Sequence, residues 1–272
     1  MNFGFSTFFF IQKPINEVID EIIASGVKTI ELSLEIPHVP NMNDDFIKRM
    51  ATLSKDEIDF SIHAPFFEVN LGSHQPEIRS FSKKRAKVAI DMACAIGANP
   101  VVIHPGYTFW MGKIKDVAEK SWKFFIEDMK VLLSYARKRG VTLAVESIPM
   151  RLFFFYDLPE FKRLKEALPS LGMTLDIGHA YITKVTKKVN DPEGLIIKDL
   201  KDLGIDNITH VHLHNNRGKG DEHLFPDGNI DIKRILDFIK VEGYAGKVII
   251  ESHEMEQNGI PSVLEKLKSI VH

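Results

Sequence analysis

Two kinds of stretch alternate along this chain. Short runs rich in β-branched and aromatic residues read as strands: 3–10 (FGFSTFFF), 28–34 (KTIELSL), 58–63 (IDFSIH), 100–104 (PVVIH), 141–146 (VTLAVE), 172–176 (GMTLD), 208–213 (ITHVHL) and 247–251 (KVIIE). Longer runs, with apolar positions recurring every three to four residues, read as helices near 14–25, 44–54, 76–97, 114–139, 158–168, 192–203, 231–241 and 261–270. In 82–96 (SKKRAKVAIDMACAI) the charges come first, and then Val88, Ala89, Met92, Ala93 and Ile96 mark one apolar helical face. Gly26, Gly97, Gly140, Gly172, Gly204 and Gly243 stand just after helical periods, where a left-handed residue closes a helix. Pro14, Pro76 and Pro192 stand near helix starts, where a missing N–H costs nothing.

Eight strands and eight helices in strict alternation predict a parallel sheet with helices outside. At 272 residues the expected class is α/β, closed as a (β/α)8 TIM barrel, with an open doubly wound sheet as the alternative. No Gly-x-Gly-x-x-Gly follows any strand, which counts against a dinucleotide fold. The chain shows no linker, low-complexity segment or short repeat, so a single domain over 1–272 is expected.

Ionisable residues collect at the strand ends: His63, His104, Glu146, Asp176 with His179 just beyond, His212 with His214, and Glu251. The C-terminal ends of barrel strands all open on one face, so residues far apart in sequence would converge there. One strand-end histidine alone reads as a hydrogen-bonded core residue. A buried ionised glutamate is rarer, because it must be paired or metal-bound. Successive strands that each end in His, Asp or Glu point to a metal site. The loop GDEHLFPDG, 220–228, adds Asp221 and His223, both expected to face inward with Glu222 pointing away, as in an extended segment. The donors then number nine: His63, His104, Glu146, Asp176, His179, His212, Asp221, His223 and Glu251. Imidazole with carboxylate and no thiolate suits Zn, Mn, Fe or Co. Nine donors exceed the needs of one ion, so two or three divalent transition-metal ions are expected, zinc foremost. Cys94 lies mid-helix and is expected to pack rather than ligate.

Composition narrows the partners. With 35 basic and 37 acidic residues the net charge is -2, so no global basic field grips nucleic acid. The basic run 82–87 reads as a solvated face, with a phosphate-binding patch as the alternative. A single cysteine excludes an internal disulfide framework and suggests a reducing, cytoplasmic setting. No stretch of about 18 apolar residues occurs, so no membrane partner is expected. The aromatic run in MRLFFFYD, 150–157, should lie in a mouth loop, where it walls a sugar pocket, stacks on a base, or packs on the next helix or an oligomer interface. Phe66, Phe67, Trp110, Arg151, Phe154 and Arg217 are the candidate substrate contacts.

In order and spacing these motifs resemble the xylose-isomerase-like barrels, a superfamily that includes endonuclease IV and the sugar isomerases and epimerases. Resemblance to endonuclease IV implies three zinc ions and cleavage of DNA at abasic sites. His63, His104 and Glu146 would hold one ion; Glu146, Asp176, His212 and Glu251 a second; His179, Asp221 and His223 a third. The segment 63–73 (HAPFFEVNLGS) would match the loop that probes the DNA minor groove. Resemblance to the sugar enzymes implies one ion on Glu146, Asp176, His212 and Glu251, with Glu146 and Glu251 exchanging the substrate proton and His179 and Arg217 binding hydroxyls. The wording around the ligands, FGFSTFF, SIPM after Glu146, LDIGH and PDGNID, departs from the endonuclease pattern, and PDGNID is closer to the epimerase one. The full donor set favours a metal-dependent phosphoester hydrolase with catalytic Glu146 and Glu251. A sugar or sugar-phosphate isomerase or epimerase is the alternative.

Overall fold

A computed structural model of the chain describes residues 1–109 and 114–271. Eight parallel strands close into a barrel in chain order. They are β1 (Asn2–Ser6), β2 (Thr29–Ser33), β3 (Asp59–His63), β4 (Val101–Ile103), β5 (Leu143–Glu146), β6 (Gly172–Asp176), β7 (Ile208–Leu213) and β8 (Lys247–Ile250). Pairing of Phe3 with Val248 and Phe5 with Ile250 joins the last strand to the first. The barrel expected from the alternation is therefore present, and the open sheet is excluded.

Around it lie α1 (Ile15–Ala24), α2 (Asp44–Lys55), α3 (Pro76–Ile96), α4 (Lys115–Arg137), α5 (Phe161–Ala167), α6 (Ile177–Thr186), α7 (Pro192–Leu203), α8 (Ile232–Val241), α9 (Glu254–Asn258) and α10 (Ile260–Val271). Side-chain caps fix several helix starts. Asn43 accepts the N–H of Phe46, Asp191 that of Gly194, and Asp231 that of Arg234. At its end α3 turns through Gly97, at φ 74°.

Each strand is covered on both faces. Ile30 and Leu32 on β2, and Val211 and Leu213 on β7, belong to the apolar layer under the helices. The residues between them are polar and equally buried. Glu31 Oε2 accepts from Ser61 Oγ at 3.0 Å and meets His210 Nε2 at 2.8 Å inside the barrel. Burial of each Ile or Leu in the outer layer stabilises the fold by about 1.5–3 kcal/mol. The polar interior is tolerated because its members pair with one another.

Five expectations need correction. Val88, placed on the apolar face of α3, is exposed. The first strand ends at Ser6 rather than running to residue 10, because the Ser6 hydroxyl accepts the N–H of Phe8 and starts a short 3₁₀ turn over Thr7–Phe9. Gly172 opens β6 instead of closing a helix; a Cβ there would lie 2.0 Å from Thr209 Oγ1. Cys94 is exposed on α3, not packed. Lastly, the alternation is not strict, since α6 and α7 both precede β7. Every residue of α6 from Ile177 to Lys184 is buried, and a helix buried all round carries no amphipathic period.

Lys184 shows what ties α6 in place. Its side chain is 1% exposed; Nζ donates to Asp157 Oδ1 at 2.6 Å and to Asp199 on α7, and Lys187 donates to Asp157 as well. Removing one partner of a buried ion pair costs about 3–5 kcal/mol. Lys184→Met is therefore expected to lower the denaturant midpoint by a corresponding amount. Burial pushes the Asp157 carboxyl up, but the hydrogen bonds from Lys184 and Lys187 outweigh it and hold the pKa below the ordinary carboxylate value. That stabilisation is complete above the ordinary value and lost as pH falls through the lowered one. The gap between wild type and variant should therefore be wide at neutral pH and narrow in strong acid. An equal gap at both would remove the assigned role of Asp157.

Candidate metal centre

The nine expected donors meet at the C-terminal mouth of the barrel. Glu146, ending β5, is central. Its Oε2 lies 3.1 Å from His63 Nε2, 3.3 Å from His104 Nε2 and 3.5 Å from His212 Nδ1, while Oε1 lies 3.2 Å from His179 Nδ1. On the adjoining strands, His212 Nδ1 also faces Glu251 Oε1 at 3.7 Å and Asp176 Oδ2 at 4.0 Å. The pairing of Asp176 with His212 across β6 and β7 sets them side by side. Farther out, Asp221 Oδ2 is 3.1 Å from His179 Nε2, and Asp221 Oδ1 is 3.2 Å from His223 Nε2. Asp176 also caps α6 by accepting the N–H of His179 at 2.6 Å, which sets the imidazole in the first helical turn.

Hydrogen-bond partners decide which ring nitrogen is available. His63 Nδ1 lies 2.9 Å from the Ala64 carbonyl, His179 Nδ1 2.8 Å from that of Ser147, and His223 Nδ1 3.1 Å from that of Glu251. A carbonyl only accepts, so each Nδ1 carries the hydrogen and each Nε2 is left with a lone pair. Those lone pairs face carboxylate oxygens, an arrangement that needs a proton or a cation between them. Histidines that ligate metals show the same outer hydrogen bond. His212 is held the other way round, with Nε2 3.0 Å from Glu31 Oε1 and Nδ1 toward the cluster. Asp176 Oδ2, His212 Nδ1 and His214 Nε2 are buried without a hydrogen-bond partner. These orphaned atoms and the thiolate-free donor set fit divalent transition-metal ions. His63, Glu146 and His212 offer donors within 4.8 Å of one another, as do Asp176, His212 and Glu251.

Glu31, His210 and His214 are absent from the nine. Glu31 and His210 lie one layer below the mouth, where Glu31 pairs with Ser61 across β2 and β3. Their sequence signal was an acid flanked by Ile30 and Leu32 and the HVHLH alternation.

The two catalytic candidates differ electrostatically. Burial would raise the Glu146 carboxyl, but the charge of His212 and the hydrogen bonds of His104 and His179 hold it well below the usual carboxylate range. For Glu251 burial wins over the pull of His212, with the charges of Glu146 and Glu31 adding to it, and the pKa rises to about 7.

A cavity of about 260 Å³ opens over the cluster, walled by Phe8, Phe9, Phe66 and Phe67 beside the donors, with Ser6 and Ser33. Phe66 stacks on His104 at 4.7 Å. Glu35, itself buried, accepts the N–H groups of Phe66 and Phe67 at 2.6 and 2.7 Å and so fixes that loop. Other candidate contacts lie elsewhere. Phe154 is buried against Phe125 and Trp122 at 5.4 and 5.6 Å, because the aromatic run turns inward onto α4. Arg151 is exposed and absent from the cavity wall. Arg217, half-exposed, is paired with Glu222 at 3.3 Å. Trp110 falls outside the described residues. The 220–228 loop is not extended as expected. Asn215 and Leu224 pair across it, Glu222 folds back to accept the Arg217 N–H at 2.6 Å, and His223 sits at φ 46°. In the basic run, Lys83 pairs with Asp128 at 2.6 Å and Lys87 lies over Tyr135 at 4.9 Å, so part of it is spent on α4.

Over 259 residues the chain is 28% identical to an uncharacterised protein of Methanocaldococcus jannaschii, covering 93% of this chain and 84% of that one. It is 25% identical over 215 residues to a probable endonuclease 4 of Listeria innocua, covering 77% of this chain and 67% of the other. Among solved structures, a D-tagatose 3-epimerase-like protein superposes with a TM-score of 0.80 at 26% identity, covering 99% of this chain and 98% of that one. The family model for the xylose isomerase-like TIM barrel matches residues 19–270. Barrel, mouth and family model agree, and the chain belongs to the xylose isomerase-like TIM barrel family.

Proposed function

We propose that this chain is a multi-metal phosphoester hydrolase. The observation that carries the reading is the outer cluster: Asp221 and His223 arrive on a separate loop and meet His179 at 3.1–3.2 Å of one carboxylate. A one-ion sugar enzyme has no need of these residues, nor of His63 and His104. The 25% identity to a probable endonuclease 4 supports the same reading.

Divalent ions bound here would make a water more acidic and draw charge from a phosphoryl oxygen. The chain's own residues supply the rest. Glu146 stays ionised, and its two oxygens face different histidines, so one carboxylate ties neighbouring clusters together. Glu251, near pH 7 in its titration, can hold or release a proton at neutral pH. The Ser6 and Ser33 hydroxyls on the wall can bond substrate oxygens, and Phe66 and Phe67 shield the centre from bulk water. Glu35→Ala frees that loop and is expected to lower kcat/KM about tenfold, roughly the worth of one such hydrogen bond to a charged group. Metal content should be unchanged; loss of metal instead would mean that Glu35 supports the donors themselves.

The wall itself favours a second reading. About 260 Å³ is small for a ligand pocket, and no lysine or arginine stands among its described lining residues. A ketose would fit, with Glu146 and Glu251 as acid and base, as the 26% identity to a D-tagatose 3-epimerase-like protein suggests. One experiment separates the two: metal-replete protein assayed on an abasic-site duplex, a panel of phosphomonoesters, and ketoses in heavy water, with elemental analysis alongside. Hydrolysis with more than one ion per chain is expected. One ion per chain, metal content unmoved by Asp221→Ala, and deuterium entering a ketose carbon would overturn the hydrolase in favour of the epimerase.

A further inference from the structure

We propose that His214 is the fourth donor of the outer centre, making it a closed site of three imidazoles and one carboxylate with His179, Asp221 and His223. The inference rests on the multi-metal reading above.

His214 follows β7 in the same alternation as His210 and His212 and is wholly buried. Its Nδ1 lies 3.4 Å from the Asn215 carbonyl, which assigns the hydrogen to Nδ1. The opposite nitrogen, Nε2, has no hydrogen-bond partner, although Asp176 Oδ1 is 3.2 Å away and Asp221 Oδ1 3.6 Å. A histidine serving only to orient Asp176 would carry its hydrogen on Nε2 and turn a lone pair toward the carbonyl. Asp176 Oδ1 is in any case engaged by the His179 N–H.

The ring has a built seat. It stacks on His223 with centroids 4.0 Å apart and planes 23° from parallel, and it meets His179 edge-on at 5.4 Å. A Cβ on Gly178 would lie 2.0 Å from His214 Cε1, so only glycine leaves room for the imidazole there. Asn216 Nδ2 donates to the Gly178 carbonyl at 3.1 Å and holds the segment in place. One ligand atom from each of His179, His214, Asp221 and His223 lies within 4.8 Å of the others. With zinc–ligand bonds of about 2.0–2.1 Å, a tetrahedron has donor separations of about 3.3–3.4 Å. From Asp221 Oδ1 the Nε2 atoms of His223 and His214 lie at 3.2 and 3.6 Å, on either side of that value, and the other oxygen, Oδ2, lies 3.1 Å from His179 Nε2.

Four protein donors fill a tetrahedral centre and leave no place on it for water or substrate. The outer ion is then a fixed positive charge and a fastening for the loop, while the chemistry falls to the ions beside Glu146.

The test uses the full chain loaded with Co(II), comparing wild type, His214→Asn and Asp221→Ala by ions per chain, chelator competition and visible spectrum, with circular dichroism as the folding control. Wild type should show the intense absorption of tetrahedral Co(II). His214→Asn should lose that band and bind one ion more than about 100-fold more weakly, beyond the 10- to 100-fold cost of losing a residue that only orients a ligand. Asp221→Ala should remove the same ion and leave the others. If His214→Asn does not fold, Gly178→Ala, which displaces the ring without removing it, should abolish the same band. Retention of the band with affinity within about 100-fold overturns the proposal, as does loss of an ion that Asp221→Ala retains. A wild-type chain holding a single ion defeats the multi-metal reading itself; three ions with His214→Asn unaffected defeats only the role of His214.

Discussion

Glu146→Gln should cost at least one metal ion per chain and about 10³-fold or more in kcat/KM on whichever substrate proves to be turned over, in line with losses at groups that act as one catalytic unit. The amide matches the carboxylate in shape but carries no charge. Four imidazoles, from His63, His104, His179 and His212, lie within 3.5 Å of the Glu146 oxygens. Without the carboxylate they face a neutral group, and bound cations lose the anion that joins neighbouring clusters. Elemental analysis and steady-state kinetics check the outcome together. Full metal content with more than a tenth of the activity would remove Glu146 from the centre.

Glu31→Ala should be comparably severe, through the fold as well as the site. Glu31 is wholly buried and meets Ser61, His210 and His212. Burial alone would raise its carboxyl; the charges of His212 and His210 hold it well below the usual range. Removing it leaves the buried His212 imidazole without its counter-charge and His210 without its hydrogen-bond partner, at about 3–5 kcal/mol. It also frees His212 to turn, and loss of a carboxylate behind a ligating histidine lowers metal affinity by about 10- to 100-fold. Glu31→Gln separates the effects, since it keeps the shape. The glutamine variant should recover only the part of the denaturant midpoint that comes from packing and hydrogen bonding, while metal affinity stays reduced. Equal loss of both in the two variants would show that Glu31 acts by charge alone. Wild-type affinity in the glutamine variant would show that it does not position His212.

The barrel was legible because its signal is repeated eight times, and observed strand and helix bounds lie mostly within two residues of those predicted. The mouth was legible for the same reason. His63, Glu146, Asp176 and His212 each end or nearly end a strand, and a parallel barrel brings such ends to one face. What stayed hidden shares a physical cause. In TIELS, the alternation of Thr29, Glu31 and Ser33 with Ile30 and Leu32 looks like a strand with one wet side, yet both sides are buried. Sequence alternation reports that two faces differ in polarity, and a barrel lined with hydrogen-bonding groups inverts the usual meaning of that difference. His214 escaped because its neighbour in space, Gly178, carries no side chain to announce the contact. Phe154 misled because aromatic residues after a strand suit a mouth and a core equally well. The fold back of Glu222 onto Arg217 depends on turn geometry that a two-residue alternation does not encode.

Helix α6 joins two regions usually considered apart. Its first turn holds Asp176 as cap and His179 as donor, and its last turns are fastened through Lys184 to Asp157 and α7. An ion held by Asp176, or one held by His179, therefore also clamps the start of a helix whose other end is already fixed. Amide exchange along residues 177–186 should slow as metal is added, reaching protons that no ion touches. Occupancy of the mouth would then be readable by mass spectrometry as the solvent protection of one buried helix.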